Sequence, residues 1–168
     1  MFQRRRHIKL NSAVLLQGNE IGETKGLVSC HVCIVQVKSF EKKHVIMSHY
    51  RVMDTDEHVS RIRHIFHNLN DIDGESLVDV LLFRLDPEKI IEHHASQGTI
   101  YHIDEYESAT RLLKNKLVKI FRNVNIHEIP YDIKEKDGDW VRVNTRKGTW
   151  VGSFGKGSVK GVDVRIKC

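Results

Sequence analysis

Short apolar runs, separated by polar and glycine-containing segments, dominate the pattern of this chain, and most of them predict strands. The first two runs favour an opening or edge hairpin, and residues 18–26 are expected to form the loop that follows. Residues 155–157 are expected to separate the last strands. The predicted strands are residues 7–10, 13–17, 28–37, 45–47, 77–85, 99–103, 140–145, 149–154 and 162–166.

The run over residues 28–37 is β-branched and almost continuously apolar, which is typical of a strand buried within a sheet. A polar segment over residues 38–43 separates it from the next apolar run. The two runs together predict a hairpin. This hairpin is expected to bring His49, at the end of its second strand, back beside Cys30 near the start of the first.

Three segments show helical signals instead. Asp54 to Asp56 supply cap residues before an apolar face with a spacing of three and four, and this helix is expected to end near residues 70–74. Asp86 and Pro87 are typical of an N-cap and first helical position, and predict a short helix through His93 or His94. A longer helix is predicted from Asp104. The apolar faces of the first and third helices are Val59, Ile62, Ile65, Phe66 and Leu69, and Leu112, Leu113, Leu117, Ile120 and Phe121.

About eight strands with three helices placed between them indicate a mixed α/β domain of the α+β type, with a mixed sheet or β-sandwich core and about three flanking helices. The chain has 168 residues and a mass of 19.5 kDa, without an internal repeat or an obvious linker. We therefore expect residues 1–168 to form a single domain. The order of the strands in the sheet does not follow from the sequence.

Composition narrows the function classes. With 40% hydrophobic and 29% charged residues the chain is of the soluble globular type, and disordered and collagen-like chains are excluded. No apolar run suits a membrane span or follows Arg4–Arg6 as in a classical secretory signal. The net charge of +5 allows an acidic protein surface as partner. Dispersed basic residues and 7% aromatic residues disfavour specific nucleic-acid binding.

Cysteine and histidine supply the candidate chemistry. The chain has 3 Cys, which cannot all pair with one another and favour a reducing, cytoplasmic compartment over a disulfide framework. Cys30 follows a loop and begins the buried strand, and His49 is expected to lie beside it. A neighbouring imidazole favours the nucleophilic thiolate and can carry a proton to a leaving amine. The same spacing also fits a cysteine that only fills the core.

The residues around this pair carry a resemblance. Residues 24–34 read T-K-G-L-V-S-C-H-V-C-I, and residues 46–49 read I-M-S-H. This resembles the core of the chemoreceptor glutamine deamidase family, CheD, and that of bacterial toxin deamidases such as the cytotoxic necrotizing factors. In those families a Thr six residues before the Cys completes a catalytic triad with a His, and Thr24 and Cys30 have that separation. Val28 departs from the pattern, since the family has Gly there.

The resemblance implies a CheD-like fold and a cysteine-dependent deamidase without a cofactor or metal. Cys30 would attack the side-chain amide of a Gln or Asn in a protein substrate, and His49 would protonate the departing ammonia. Thr24 would orient His49, and backbone N–H groups at Ser29 and Cys30, exposed by a turn at Gly26, would form the oxyanion hole. The divergence outside this core favours an effector or toxin, delivered into a host cell by a signal that the sequence does not reveal.

Other interpretations stay open. A non-catalytic protein-binding domain could keep the same fold. Cys30 and Cys33 form a C-x-x-C pair, which keeps a thiol-redox protein as a second alternative. A strand directs the two side chains to opposite faces and no second such pair completes a zinc site, so Cys33 is expected to be buried and inert. Arg4–Arg6 are expected to form a disordered tail. The remaining histidine and lysine clusters are expected to be solvated surface and not metal or phosphate sites. These clusters are His64 and His67, His93 and His94, and Lys114, Lys116 and Lys119.

Overall fold

Two β-sheets and a layer of helices are stacked on one another. The computed structural model describes residues 3–39, 42–70, 72, 76–89, 103–132 and 138–159. Each sheet has five strands, so the fold is mixed α/β, as the sequence predicted. One apolar cluster fills the space between the two sheets, and a second lies between one sheet and the helices.

The sheet between these two clusters, here called the central sheet, has the strand order β2-β5-β4-β6-β7. The other, here called the outer sheet, has the order β1-β3-β8-β9-β10. The central strands are β2 (Ser12–Leu16), β4 (His31–Lys38), β5 (Lys43–Tyr50), β6 (Leu77–Leu85) and β7 (Val124–Tyr131). The outer strands are β1 (Arg5–His7), β3 (Ile21–Leu27), β8 (Asp139–Asn144), β9 (Thr149–Gly152) and β10 (Gly155–Ser158).

Strand β4 shows why the apolar run around Cys33 has no polar stripe. It lies between β5 and β6, and both of its faces are covered. Val32 and Ile34 pack into the cluster between the sheets, while Cys33 and Val35 pack into the cluster below the helices. Because successive side chains of a strand point to opposite faces, a strand covered on both sides needs apolar residues at nearly every position. The buried strand and its hairpin with β5 are confirmed.

Two long helices cover the central sheet. Helix α1 (Thr55–His67) follows a 3-10 turn (Val52–Asp54), and helix α2 is Ile103–Ile120. Val59, Ile62, Leu113 and Leu117 of the predicted apolar faces are buried against the sheet. Leu112 was also assigned to the apolar face of α2 but is exposed, because it lies about 100° around the helix from the buried Leu113. Helix α2 lies in the connection between β6 and β7, which are parallel, as expected of a crossover connection. The predicted helices after Asp54 and from Asp104 are thus confirmed, although α1 ends several residues earlier than expected.

The start of the second predicted helix is also present. Residues 87–89 are helical, and the Glu88 N–H donates to the side chain of Asp86 over 3.0 Å, as an N-cap does. Its predicted continuation through His93 or His94 lies outside the described residues. So do the predicted strands over residues 99–102 and 162–166. Ile103, which was assigned to the first of these strands, is the first residue of α2.

The N-terminal prediction is wrong in three respects. Residues 5–7 and 12–16 form no hairpin, because β1 belongs to the outer sheet and β2 to the central sheet. Arg5 and Arg6 form part of β1 instead of a disordered tail, and the Arg6 guanidinium donates to the Leu15 carbonyl over 3.4 Å. The expected loop over residues 18–26 contains β3. Polar residues in β3 are stabilised by partners from elsewhere in the fold, such as Arg142 for Glu23 over 2.7 Å.

Strands near the C-terminus are partly as predicted. β8 and β9 confirm two predicted strands, with β9 shorter than expected. The expected separator at residues 155–157 is wrong, because β10 forms a hairpin with β9 there. β7 was not predicted, since charged residues and Pro130 interrupt its apolar pattern. Proline is tolerated because β7 is an edge strand of the central sheet.

Candidate active site

Two of the predicted site residues meet between the sheets. Thr24 lies on β3 of the outer sheet and His49 on β5 of the central sheet, and both side chains are buried. Thr24 Oγ1 is 2.7 Å from His49 Nδ1. The sandwich therefore joins the first and last members of the sequence motif across its interior, as the resemblance implied.

A second contact of Thr24 fixes the proton on His49. Thr24 Oγ1 is also 2.7 Å from the carbonyl oxygen of Ile8, which can only accept. A hydroxyl has a single proton, so it donates to Ile8 and must accept from the imidazole. Nδ1 of His49 therefore carries the proton, and Nε2 presents a lone pair.

The lone pair of His49 Nε2 is available for chemistry. Nε2 is buried and has no hydrogen-bond partner among the described residues. Burial, together with His7 nearby, lowers the pKa of His49 to about 4. The imidazole is therefore neutral near neutral pH, and with this pKa its unprotonated nitrogen is a weak base that has no competing partner among the described residues.

Cys30 lies at the same end of the central sheet. It directly precedes β4, whose Val32 is the pairing partner of His49. His31, the first residue of β4, pairs with Tyr50, the chain neighbour of His49, so Cys30 and His49 lie at the same end of this hairpin. The hairpin thus brings Cys30 toward His49, although no hydrogen bond joins them and the directly paired residue is Val32, not Cys30.

The surroundings of the thiol keep it protonated at rest. Burial raises the pKa of Cys30 above its ordinary value, while the Ser29 backbone N–H and the Arg51 guanidinium act in the opposite direction. Cys30 remains partly exposed. At rest, Cys30 is consequently a neutral thiol and His49 a neutral imidazole.

The backbone at Cys30 is anchored by a residue that sequence reasoning missed. The Tyr131 hydroxyl, at the end of β7, donates to the Cys30 carbonyl oxygen over 2.8 Å. The Tyr131 side chain is fully buried, and burial raises its pKa well above the ordinary value, so the phenol remains a donor. The two residues are 101 positions apart, and no local sequence signal connects them.

The chain reaches Cys30 through a β-bulge. Thr24 pairs with Val141 and Leu27 with Asp139, so β3 has one residue more than β8 in this interval. Gly26 has φ 75°, a left-handed conformation that glycine adopts without a Cβ clash. The predicted turn at Gly26 is therefore wrong, because Gly26 lies within β3, at its bulge. Ser29 is partly exposed, and its backbone N–H acts on the Cys30 thiol.

Cys33 has a different environment. It is fully buried in the cluster below the helices, and burial raises its pKa to about 12. Both Cys30 and Cys33 are free thiols. As predicted, Cys33 is buried, which makes it a poor partner for redox exchange with Cys30.

The other clusters named from the sequence are surface features where they are described. His64 and His67 are exposed on α1. Lys114 and Lys116 form ion pairs with Glu128 at 3.2 Å and Asp56 at 2.8 Å, and Lys119 is exposed. Among the described residues, no group of three or more His, Cys, Asp or Glu is arranged to hold a metal ion. In the same part of the chain, no helix combines the length and apolarity that crossing a membrane requires.

Comparison of the sequence with models of protein families and with curated proteins found no match. The deamidase resemblance therefore rests on the motif residues themselves, and the activity that it implies stays a prediction.

Proposed function

We propose that this protein is a cysteine-dependent protein deamidase that converts a Gln or Asn side chain of another protein into Glu or Asp. Cys30 is the nucleophile, His49 the general base and acid, and Thr24 the residue that positions His49. One observation carries the proposal. Thr24 holds His49 in the tautomer whose Nε2 accepts protons, and that nitrogen is unpartnered at the end of the sheet where Cys30 lies.

The first half of the reaction is acyl transfer to the thiol. His49 Nε2 takes the proton of Cys30 as the sulfur forms a bond with the amide carbon of the substrate. The resulting oxyanion is stabilised by the Ser29 backbone N–H, which already interacts with the thiol in the resting site. The C–N bond then breaks, His49 returns its proton to the nitrogen, and ammonia departs from a thioester.

The second half is hydrolysis. Water attacks the thioester carbon while His49 Nε2 takes one of its protons. The C–S bond breaks, the carboxylate product leaves, and the proton returns to the Cys30 sulfur. Amide and water are thus converted into carboxylic acid and ammonia, with no oxidant, metal or cofactor in the balance.

A thiol redox function is less well supported than deamidation. Exchange within the C-x-x-C pair requires the second thiol to reach the first, whereas Cys33 is fully buried on the other face of the sheet. A non-catalytic binding domain is the second candidate. It is favoured by the raised pKa of Cys30 and by the absence of a hydrogen bond between Cys30 and His49.

Ammonia release from a panel of Gln-bearing proteins tests the proposal, with the intact mass of each substrate read in parallel. We expect the wild-type protein to add about 1 Da per site, because an amide nitrogen is replaced by oxygen. Cys30→Ala should abolish both signals. The matched control is Cys33→Ala, which removes the neighbouring buried thiol and should retain them.

Mass gains that persist in Cys30→Ala would refute the thiol mechanism. Absence of ammonia across the panel, together with a Cys30 that alkylates no faster in the wild type than in His49→Gln, would favour the binding domain instead.

A further inference from the structure

A cleft with a volume of about 250 Å³ opens beside Cys30. The 3-10 turn and helix α2 form its apolar walls through Val52, Met53, Tyr106 and Ala109. Met53, which lines the cleft, is 87% exposed. We refer to this cleft below as the Met53 cleft.

The polar lining of the Met53 cleft connects it to the thiol. Ser29 is the chain neighbour of Cys30, and Arg51 interacts electrostatically with the thiol. Tyr106, from the opposite wall, is also within electrostatic reach of Cys30. Ser29 thus places the cleft next to the residue that bears the nucleophile, so a molecule attacked by Cys30 would extend naturally into this space.

The dimensions and chemistry of the cleft restrict its occupant. Pockets for drug-sized molecules measure about 300–1,000 Å³, so this one suits a single side chain better than a whole ligand. Its walls are mainly apolar, and its charged residues, Arg51 and Glu105, have opposite signs. A charged side chain would therefore find no net attraction, whereas an apolar one would be removed from water.

We propose that the Met53 cleft binds an apolar side chain of the substrate protein next to the amide-bearing residue that Cys30 attacks. This inference rests on the proposed deamidase function and adds to it a substrate class, namely surface segments in which an apolar residue neighbours Gln or Asn. Met53 is suited to such a contact, since its flexible thioether adapts to different apolar partners.

Alkylation of Cys30 by chloroacetamides tests the cleft without knowledge of the substrate. The thiol displaces chloride from the CH₂ carbon, and the substituent on the amide nitrogen can extend into the cleft. We would compare unsubstituted chloroacetamide with N-isobutyl, N-phenethyl, N-carboxymethyl and N-aminoethyl derivatives. Each rate would be divided by the rate with N-acetylcysteine and assigned to Cys30 by peptide mass spectrometry.

We expect the two apolar substituents to raise the normalised rate about tenfold or more through binding, with saturation at high probe concentration. Ala109→Leu fills the cleft and should return the rate to that of chloroacetamide. Asn115→Leu adds the same side chain at an exposed position of the same helix and should leave the enhancement intact.

Equal normalised rates for all substituents, a preference for either charged substituent, or an enhancement that survives Ala109→Leu would overturn the proposal. The ammonia assay separates this outcome from failure of the deamidase function. An apolar preference with no ammonia from any substrate leaves the cleft standing and removes the deamidase. Ammonia release without an apolar preference supports the deamidase and removes the cleft.

Discussion

At the scale of single residues, the site depends on one hydroxyl. The contact of Thr24 with the Ile8 carbonyl decides which nitrogen of His49 is protonated, and hence whether a basic lone pair faces the end of the sheet where Cys30 lies. Thr24 and His49 could be identified from the sequence, because both belong to the motif that resembles the deamidase core. Tyr131 could not, since its relation to Cys30 exists only after strands distant in sequence are brought together.

Thr24→Val should remove the preference of His49 for the Nδ1–H tautomer. The substitution keeps the shape of the side chain and removes the hydroxyl, so Nδ1–H loses its acceptor and the imidazole populates both tautomers. Nitrogen NMR of His49 reads this directly, and deamidation should fall about 10²-fold. Thr24→Ser restores the hydroxyl and should restore the Nδ1–H tautomer. An unchanged His49 spectrum in Thr24→Val would show that the hydroxyl does not set the tautomer.

Tyr131→Phe should loosen the peptide at Cys30. The phenol is the hydrogen-bond donor to the Cys30 carbonyl, and its loss should lower the free energy of unfolding by about 1 kcal/mol. It should also change the alkylation rate of Cys30. Thr145→Val is the control, since it removes a buried hydroxyl that donates to the Glu20 carbonyl over 2.7 Å and leaves the Cys30 carbonyl untouched. If both variants change the alkylation rate equally, the anchoring role of Tyr131 is wrong.

At the scale of elements, the sequence predicted the strands and helices whose hydrophobic pattern follows from local structure or from burial. The hairpin of β4 and β5, strand β6 and helices α1 and α2 follow from apolar runs or from a helical spacing. β3 could not be predicted, because its buried polar residues become favourable only through partners on other strands, Arg142 for Glu23 and His49 for Thr24. The missed strand is the one that carries Thr24.

The bulge in β3 gives a prediction at this scale. Gly26→Ala places a Cβ on a residue with φ 75° and should lower the free energy of unfolding by about 1–2 kcal/mol. It should also displace the segment leading to Cys30 and reduce deamidation. Gly18→Ala is the matched control, because no heavy atom lies within 4 Å of a Cβ built there. Urea unfolding of both variants measures the difference. Equal stabilities would indicate that the bulge tolerates a side chain.

At the scale of the whole molecule, buried neutral histidines make the fold sensitive to acid. His31, His49 and His58 are almost fully buried, and burial lowers the pKa of His31 to about 3, that of His49 to about 4, and that of His58 well below the ordinary value. The unfolded chain binds protons at these side chains below the ordinary histidine pKa of 6.5, whereas the folded chain does not. Stability that is present above that pH is therefore lost as the pH falls toward the folded-state values.

We expect the free energy of unfolding to decrease by about 1–2 kcal/mol for each buried histidine between about pH 7 and pH 5. Urea unfolding at a series of pH values measures the slope. His31→Gln should reduce it, whereas His64→Gln, at an exposed position of α1, should not. A stability that is constant over this range would contradict the burial of these imidazoles in their neutral form.

The coupling between Cys30 and His49 is the central claim, and the pH dependence of Cys30 alkylation by iodoacetamide tests it most directly. In the wild type, proton transfer from Cys30 to His49 Nε2 should keep the alkylation rate at neutral pH well above that of an unassisted thiol with a raised pKa. In His49→Gln the neutral-pH rate should fall at least about tenfold and rise steadily with pH, as thiolate alone reacts. Wild-type and His49→Gln profiles that coincide would contradict the assignment of His49 as the base for Cys30.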